Sequence, residues 1–279
     1  MDSAKTLKTF ETGDGRLAYR DEGSGAPLVL LHGGFLDHRM WDAQIPVFAR
    51  THRVIAPDAR GHGASANATR PFRHTDDVAA LLHHLGTGPA TLVGLSMGGA
   101  IAVDTALEHP HLVRALVVSG VGTSEPDFRD PWTRAANAAY WKALGAGDLD
   151  AFVDAFARFT YGPQRTAEDV DPEVDRRVRE MARTTIAKHS GGEPDYWVRL
   201  VDTWNRAAEI EVPVLAVNGG IDSVDHIRMA ERLVRTVPHG RTTAVEGTAH
   251  YPNMERPDAF NAIVQEFLHS AVARAERRT

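Results

Sequence analysis

Gly94-Leu95-Ser96-Met97-Gly98 sets a serine between glycines, directly after a short apolar run and directly before a segment with helical periodicity. A turn that sharp forces its central residue into strained backbone angles. The flanking side chains must then be tiny, and Gly94, Gly98, Gly99 and Ala100 meet that demand. Ser96 would present its hydroxyl at the end of a strand, where the next helix N-terminus offers N–H groups to a developing negative charge. The chemistry this suits is acyl transfer: attack on a carbonyl, collapse to an acyl-enzyme, then hydrolysis by an activated water. An isolated G-x-S-x-G is more often a simple turn. The strand-turn-helix context is what gives this one weight.

A serine hydroxyl needs a base, and a histidine oriented by a carboxylate is the usual solution. Among 14 histidines, His250 is favoured, because Gly247-Thr248-Ala249-His250 follows the last strand-like run and precedes the C-terminal helical segment. His83, His84, His109, His111 and His269 fall in or beside helices. His62 and His74 belong to the loop region after the Arg53 to Ala56 run, where a surface or capping role is the ordinary reading. The orienting acid belongs after the run Val212 to Val217, where Asp222 is preferred and Asp225 is the alternative, the latter also suited to an N-cap. His32-Gly33-Gly34-Phe35 follows another strand-like run. The N–H groups of Gly34 and Met97 are the candidates for an oxyanion hole, with Phe35 in reserve and lining the pocket.

These residues need a scaffold that brings strand ends together. Leu28 to Leu31, Arg53 to Ala56, Thr91 to Val93, Ala115 to Val118, Val212 to Val217 and Thr242 to Val245 read as strands apolar on both faces, as in a mainly parallel sheet. Lys8 to Glu11 and Leu17 to Asp21, around Gly13-Asp14-Gly15, predict an antiparallel hairpin at the sheet edge. Helical segments alternate with the strands: Met40 to Ala49, Thr75 to Leu85, Met97 to Glu108, Ile227 to Thr236 and Pro257 to about Arg274. Thr75 is the expected capping hydroxyl of its helix, with Asp76 and Asp77 in the first turn. The fold class is α/β.

The alternation breaks from about Gly122 to Ala208. Amphipathic stretches follow one another there, around Trp132 to Leu144, Leu149 to Phe159, Pro172 to His189 and Pro194 to Ala207. This predicts a helical cap, residues 122–208, inserted into a core of residues 1–121 and 209–279. The cap is rich in aromatics. Trp132 and Trp141 are candidate substrate contacts beside Phe35, although packing between cap helices would use such residues equally well.

Composition narrows the classes. With 43% hydrophobic residues, 24% charged and a formal charge of −6, the 279-residue chain is that of a folded soluble protein, and its scattered basic residues give no nucleic-acid surface. The absence of cysteine excludes disulfides, thiolate metal sites and a cysteine nucleophile. No metal or cofactor is expected; His109-Pro110-His111 has no carboxylate at a ligand spacing. Met1 to Lys5 leads into polar sequence without a secretory apolar stretch, and no run approaches the roughly 18 apolar residues of a membrane span, so a cytoplasmic location is expected. The last residues, 273–279, read as a frayed, solvated helix end.

The set His32-Gly33-Gly34, Pro57 to Ser65, Gly94 to Gly99, Asp222 and Gly247 to His250 resembles the α/β-hydrolase superfamily, over about residues 17–270 with the cap unmatched. The resemblance implies an eight-stranded sheet, a triad of Ser96, Asp222 and His250, and a mainly structural role for Pro57 to Ser65. Leu95 to Gly99 with His32 to Trp41 is similar to the 3-oxoadipate enol-lactonase-like and small esterase branches. Dehalogenases and epoxide hydrolases of this fold carry aspartate at the elbow, so Ser96 argues against both. Hydrolysis of a carboxylic ester or lactone with an apolar or ring-containing portion is the leading expectation. The alternatives are C–C bond hydrolysis of vinylogous diketones, with Arg129, Arg134 or Arg158 available to receive carboxylates, and a non-hydrolytic small-molecule receptor or biosynthetic protein. Perhydrolysis is a further side activity of such a site.

Overall fold

The computed structural model describes residues 6–190 and 192–275. Eight strands form one sheet: β1 (Lys8–Thr12), β2 (Gly15–Glu22), β3 (Ala26–Leu31), β4 (His52–Pro57), β5 (Ala90–Leu95), β6 (Val113–Ser119), β7 (Val214–Gly219) and β8 (Gly240–Val245). Their spatial order is β1-β2-β4-β3-β5-β6-β7-β8. The β1–β2 hairpin pairs antiparallel at one edge, β2 joins β4 antiparallel, and every later pairing is parallel. Parallel pairing aligns the C-terminal ends of β3, β5, β6 and β7. The loops after these strands therefore meet at one edge, the usual ligand edge of an open α/β sheet.

Strands β5 and β7 are buried at every position, and β3 and β6, which flank β5, are nearly so, which explains their uninterrupted apolar runs. One core lies on each face. On one side Val29, Leu92, Leu116 and Val214 pack with Ile101 and Val103; on the other Leu30, Val93 and Val117 pack with Trp41, Phe48 and Phe260. Burial of each such side chain contributes about 1.5–3 kcal/mol.

The core helices are α1 (Ile45–Phe48), α2 (His74–His84) and α3 (Met97–Glu108) before the cap, and α8 (Val224–Thr236), α9 (Pro252–Glu255) and α10 (Pro257–Ala275) after it. Between β6 and β7 lie α4 (Pro131–Gly145), α5 (Leu149–Tyr161), α6 (Pro172–Ile186) and the short α7 (Thr203–Arg206). Asp130, Asp148 and Asp171 cap the first three, each accepting a backbone N–H in the first turn.

Three local expectations change. Met40 to Ala49 is two short turns, His38–Trp41 and α1, instead of one helix; Pro46 cannot donate the hydrogen bond that would join them. Thr75 lies inside α2, whose N-cap is Arg73, and its hydroxyl is buried without a partner. The stretch Pro194 to Ala207 is largely irregular: Phe72 bridges Trp197, and helical turns begin only at Thr203, where Glu125 accepts the N–H groups of Asp202 and Thr203. Tertiary pairing with the 68–74 loop overrides its helical periodicity. The expectations for residues 1–5 and 276–279 lie outside the described residues, as do the side chains of residues 273–275.

Candidate active site

Ser96 sits between β5 and α3 with φ 52° and ψ −116°, a conformation that L-residues rarely adopt. The glycines around it make this possible. A Cβ on Gly94 would strike the backbone of Gly98, and one on Gly98 would strike the carbonyls of Leu31 and His32. The turn is pinned by Ser96 N–H donating to Ser119 O on β6 at 2.8 Å.

Gly34 and Met97 lie side by side; a Cβ on Gly34 would stand 3.8 Å from that of Met97. Neither backbone N–H has a protein partner among the described residues, and both residues line the same cavity as Ser96. Phe35, next in the chain, has φ 59° and turns its ring onto Phe152, Phe156, Tyr140 and Trp141 at centroid distances of 5.0–6.2 Å.

His250 lies on the loop after β8, its backbone N–H donating to Phe159 O at 3.3 Å. Its Nδ1 is 2.8 Å from Asp222 Oδ2. Asp222 follows β7, and its Oδ1 accepts the Ser223 N–H at 2.6 Å and contacts His226 Nδ1 at 3.1 Å. Burial raises the carboxyl pKa of Asp222, but the charges and hydrogen bonds of His250 and His226 outweigh it and hold the group well below the ordinary carboxylate range. Burial pulls the His250 imidazole below its ordinary value, against the opposing pull of Asp222. A neutral His250 with Nδ1–H on Asp222 leaves the Nε2 lone pair as the base. Ser96 and His250 face one cavity, yet no hydrogen bond joins Ser96 Oγ to His250 among the described residues. Such bonds are often long without substrate and tighten when it binds.

Asp225 stands elsewhere. Its carboxylate accepts the N–H groups of Arg129 and Asp130, both at 2.7 Å, and pairs with Arg228, so it ties the start of α4 to α8. Ser223, not Asp225, caps α8.

The cavity encloses about 1060 Å³ between the sheet edge and the cap. One wall is aromatic, from Phe35, Tyr140, Trp141, Phe152, Phe156 and Phe159. Trp132 is not on it; that ring packs on Phe159 and beneath Arg158. A second wall comes from the loop after β4 and the segment 186–199, and carries His62, His74, His189 and Trp197. Burial keeps His62 and His74 neutral, His74 with a pKa of about 3. Of the expected basic groups, Arg129 and Arg134 are exposed and Arg158 lies over Trp132; none lines the cavity. The arginines that do are committed, Arg60 to Asp77 and Arg199 to Asp195.

Sequence reasoning missed His226. It stands on the first turn of α8 with its ring 4.2 Å from that of His250, and Asp222, His226 and His250 form a cluster whose ligand atoms lie within 4.8 Å of one another. The four-residue spacing from Asp222 is no signal by itself, because Asp222 precedes the Ser223 cap and only the turn into α8 brings the two side chains together.

Residues 26–257 match the family described as alpha/beta hydrolase fold, and the chain belongs to it. It is therefore placed among hydrolases. The chain is 27% identical over 274 residues to an (E)-2-((N-methylformamido)methylene)succinate hydrolase of Acinetobacter baylyi, covering 94% of this chain and 98% of that protein. It is 29% identical over 257 residues to a pimeloyl-[acyl-carrier protein] methyl ester esterase of Neisseria meningitidis, covering 88% and 93%. A thermophilic esterase from Thermogutta terrifontis, solved with malate bound, superposes with a TM-score of 0.77 at 25% identity, covering 95% of this chain and 99% of that one. Among the described residues no helix is long and apolar enough to cross a membrane.

Proposed function

We propose that the protein hydrolyses an uncharged carboxylic ester or lactone through an acyl-enzyme on Ser96. The observation that carries this reading is the convergence, in one cavity, of the strained Ser96 with the 2.8 Å His250–Asp222 pair. His250 Nε2 takes the Ser96 proton as Oγ attacks the carbonyl carbon. The resulting oxyanion is received by the N–H groups of Gly34 and Met97, aided by the N-terminus of α3. His250 then gives its proton to the departing alkoxide, and in the second half-reaction it takes a proton from the water that attacks the acyl-enzyme. Asp222 holds the ring in the Nδ1–H tautomer and stabilises the imidazolium.

The wall of Phe35, Tyr140, Trp141, Phe152 and Phe156 favours an apolar or ring-containing group. Among the described residues the two arginines that line the cavity already face carboxylates of the chain itself, Arg60 buried against Asp77 and Arg199 at the exposed rim with Asp195. That favours ester or lactone cleavage over C–C cleavage of acidic diketones, and a neutral substrate over one like the succinate named for the Acinetobacter relative. The test is turnover of p-nitrophenyl esters and lactones of graded size. Ser96→Ala is expected to lower kcat by about 10⁴-fold or more while the fold persists. Undiminished turnover by that variant refutes the nucleophile; absence of turnover with tight ligand binding would make the protein a receptor.

A further inference from the structure

Two imidazoles share one carboxylate in this cavity. Asp222 pairs with no lysine or arginine among the described residues, and its side chain is 1% exposed. Its Oδ2 faces His250 Nδ1 at 2.8 Å and its Oδ1 faces His226 Nδ1 at 3.1 Å. His226 Nδ1 also lies 3.0 Å from Ser223 Oγ, which accepts the His226 backbone N–H. The buried carboxylate accepts hydrogen bonds and donates none, so the tautomer that satisfies it carries hydrogen on Nδ1 and a lone pair on Nε2 in both rings. His250 Nε2 is the base of the reaction proposed above. His226 Nε2 has no partner among the described residues. The His226 ring lines the cavity between Phe128 and Phe159, each 5.8 Å away, and beside His250, 4.2 Å away and tilted by 30°.

A residue needed only to anchor Asp222 would require a donor and nothing more. Histidine adds an acceptor at the far side of the ring, among apolar neighbours where an unmet lone pair is costly. We propose that His226 is a substrate-recognition residue, accepting a hydrogen bond from an O–H or N–H group that the substrate carries close to its scissile bond. This rests on the ester or lactone reading and narrows it to donor-bearing substrates, such as hydroxyacyl esters or hydroxyalkyl esters. A substrate without the donor leaves the acceptor unpaired, and discrimination follows from that loss.

The test compares matched pairs: p-nitrophenyl 3-hydroxybutyrate against p-nitrophenyl butyrate for a donor on the acyl side, and 2-hydroxyethyl butyrate against propyl butyrate for one on the alcohol side. Each kcat/KM ratio is normalised to the hydroxide-catalysed rates. The native enzyme is expected to prefer the donor-bearing member of at least one pair by roughly tenfold. His226→Phe keeps a ring of similar bulk without nitrogen. His226→Asn keeps a donor near the Nδ1 position and removes the far acceptor. In both, the preferred ratio is expected to fall to about one, whereas a purely structural role would slow both members equally and leave the ratio unchanged. No preference in either pair, or a preference that survives in both variants, overturns the proposal. Failure of all four esters to turn over, or turnover that survives Ser96→Ala, sinks the underlying ester reading and the proposal with it.

Discussion

Gly120→Ala tests whether the position of the His250 ring controls the reaction. Gly120 directly follows β6 with φ +63°, and a Cβ there would lie 2.6 Å from His250 Cε1 and 2.8 Å from Nδ1. Alanine in that backbone region costs roughly 1–2 kcal/mol. Ordinary carbon contacts are about 3.5–4.0 Å, so the ring must also retreat by about 1 Å. It cannot do so freely, because Asp222 holds Nδ1 at 2.8 Å while His226 and Tyr251 pack at 4.2 and 5.3 Å. A misplacement of that size costs about 10²-fold in rate. Gly86 supplies the control: its φ is +60°, yet a Cβ there meets nothing within 4 Å. Gly86→Ala should therefore lower Tm by a few degrees through its backbone alone and Gly120→Ala by more, because of the added clash, while only Gly120→Ala loses about 100-fold in kcat/KM against an activated ester. Native activity in Gly120→Ala, or an equal loss in Gly86→Ala, would refute the reasoning.

Two further outcomes follow from titrating groups. Protonated His250 cannot take the Ser96 proton, and burial lowers its pKa, so kcat/KM should rise with pH along an acid limb centred below 6.5; a midpoint above 6.5 would contradict a burial-dominated ring. Asp104 on α3 is buried, with the Ser124 hydroxyl and backbone N–H donating to it, and burial outweighs them and raises its pKa to about 6. The folded state thus binds more protons than the unfolded one between the carboxyl's ordinary 3.8 and about 6, and stability is lost as pH rises through that range. Asp104→Asn should stabilise the fold by on the order of 2 kcal/mol at pH 7, read as a shift in the denaturation midpoint, and by nothing at pH 4.

The parts legible in the sequence were those whose constraint is local. The glycines around Ser96 and the doubly apolar strands are dictated within a few residues, and chain order then placed Asp222 and His250 on neighbouring loops. What was not legible depended on tertiary partners. Thr75 has the chemistry of a cap, but α2 begins one residue earlier, at His74. Pro194 to Ala207 has helical periodicity, yet Phe72 and Glu125 claim its backbone groups. Trp132 and Trp141 look alike in sequence, and only the packing of α4 on α5 turns Trp141 to the cavity and Trp132 to Phe159. His226 is hidden for the same reason: nothing in its neighbours announces a ring stacked beside another from a loop 24 residues later.

Residues 187–190 and 192–199 wall the cavity with irregular chain. That chain is fastened to the sheet side by the Phe72–Trp197 bridge, by Lys188 Nζ on the Gly63 carbonyl at 2.9 Å, and by Asn67 Nδ2 on the Lys188 carbonyl at 2.7 Å. Like the cap helices, it leaves β6 and rejoins β7 without supplying a strand to the sheet. Most of the aromatic wall is thus contributed by chain outside the sheet core, while Phe35 and His226 of the core supply the rest of the lining beside the reacting groups. A replacement insert that keeps the two junctions, the Phe159 carbonyl that receives the His250 N–H and the Asp225 anchor of α4 would give this hydrolase a new diet with the bond-breaking clockwork still held in place.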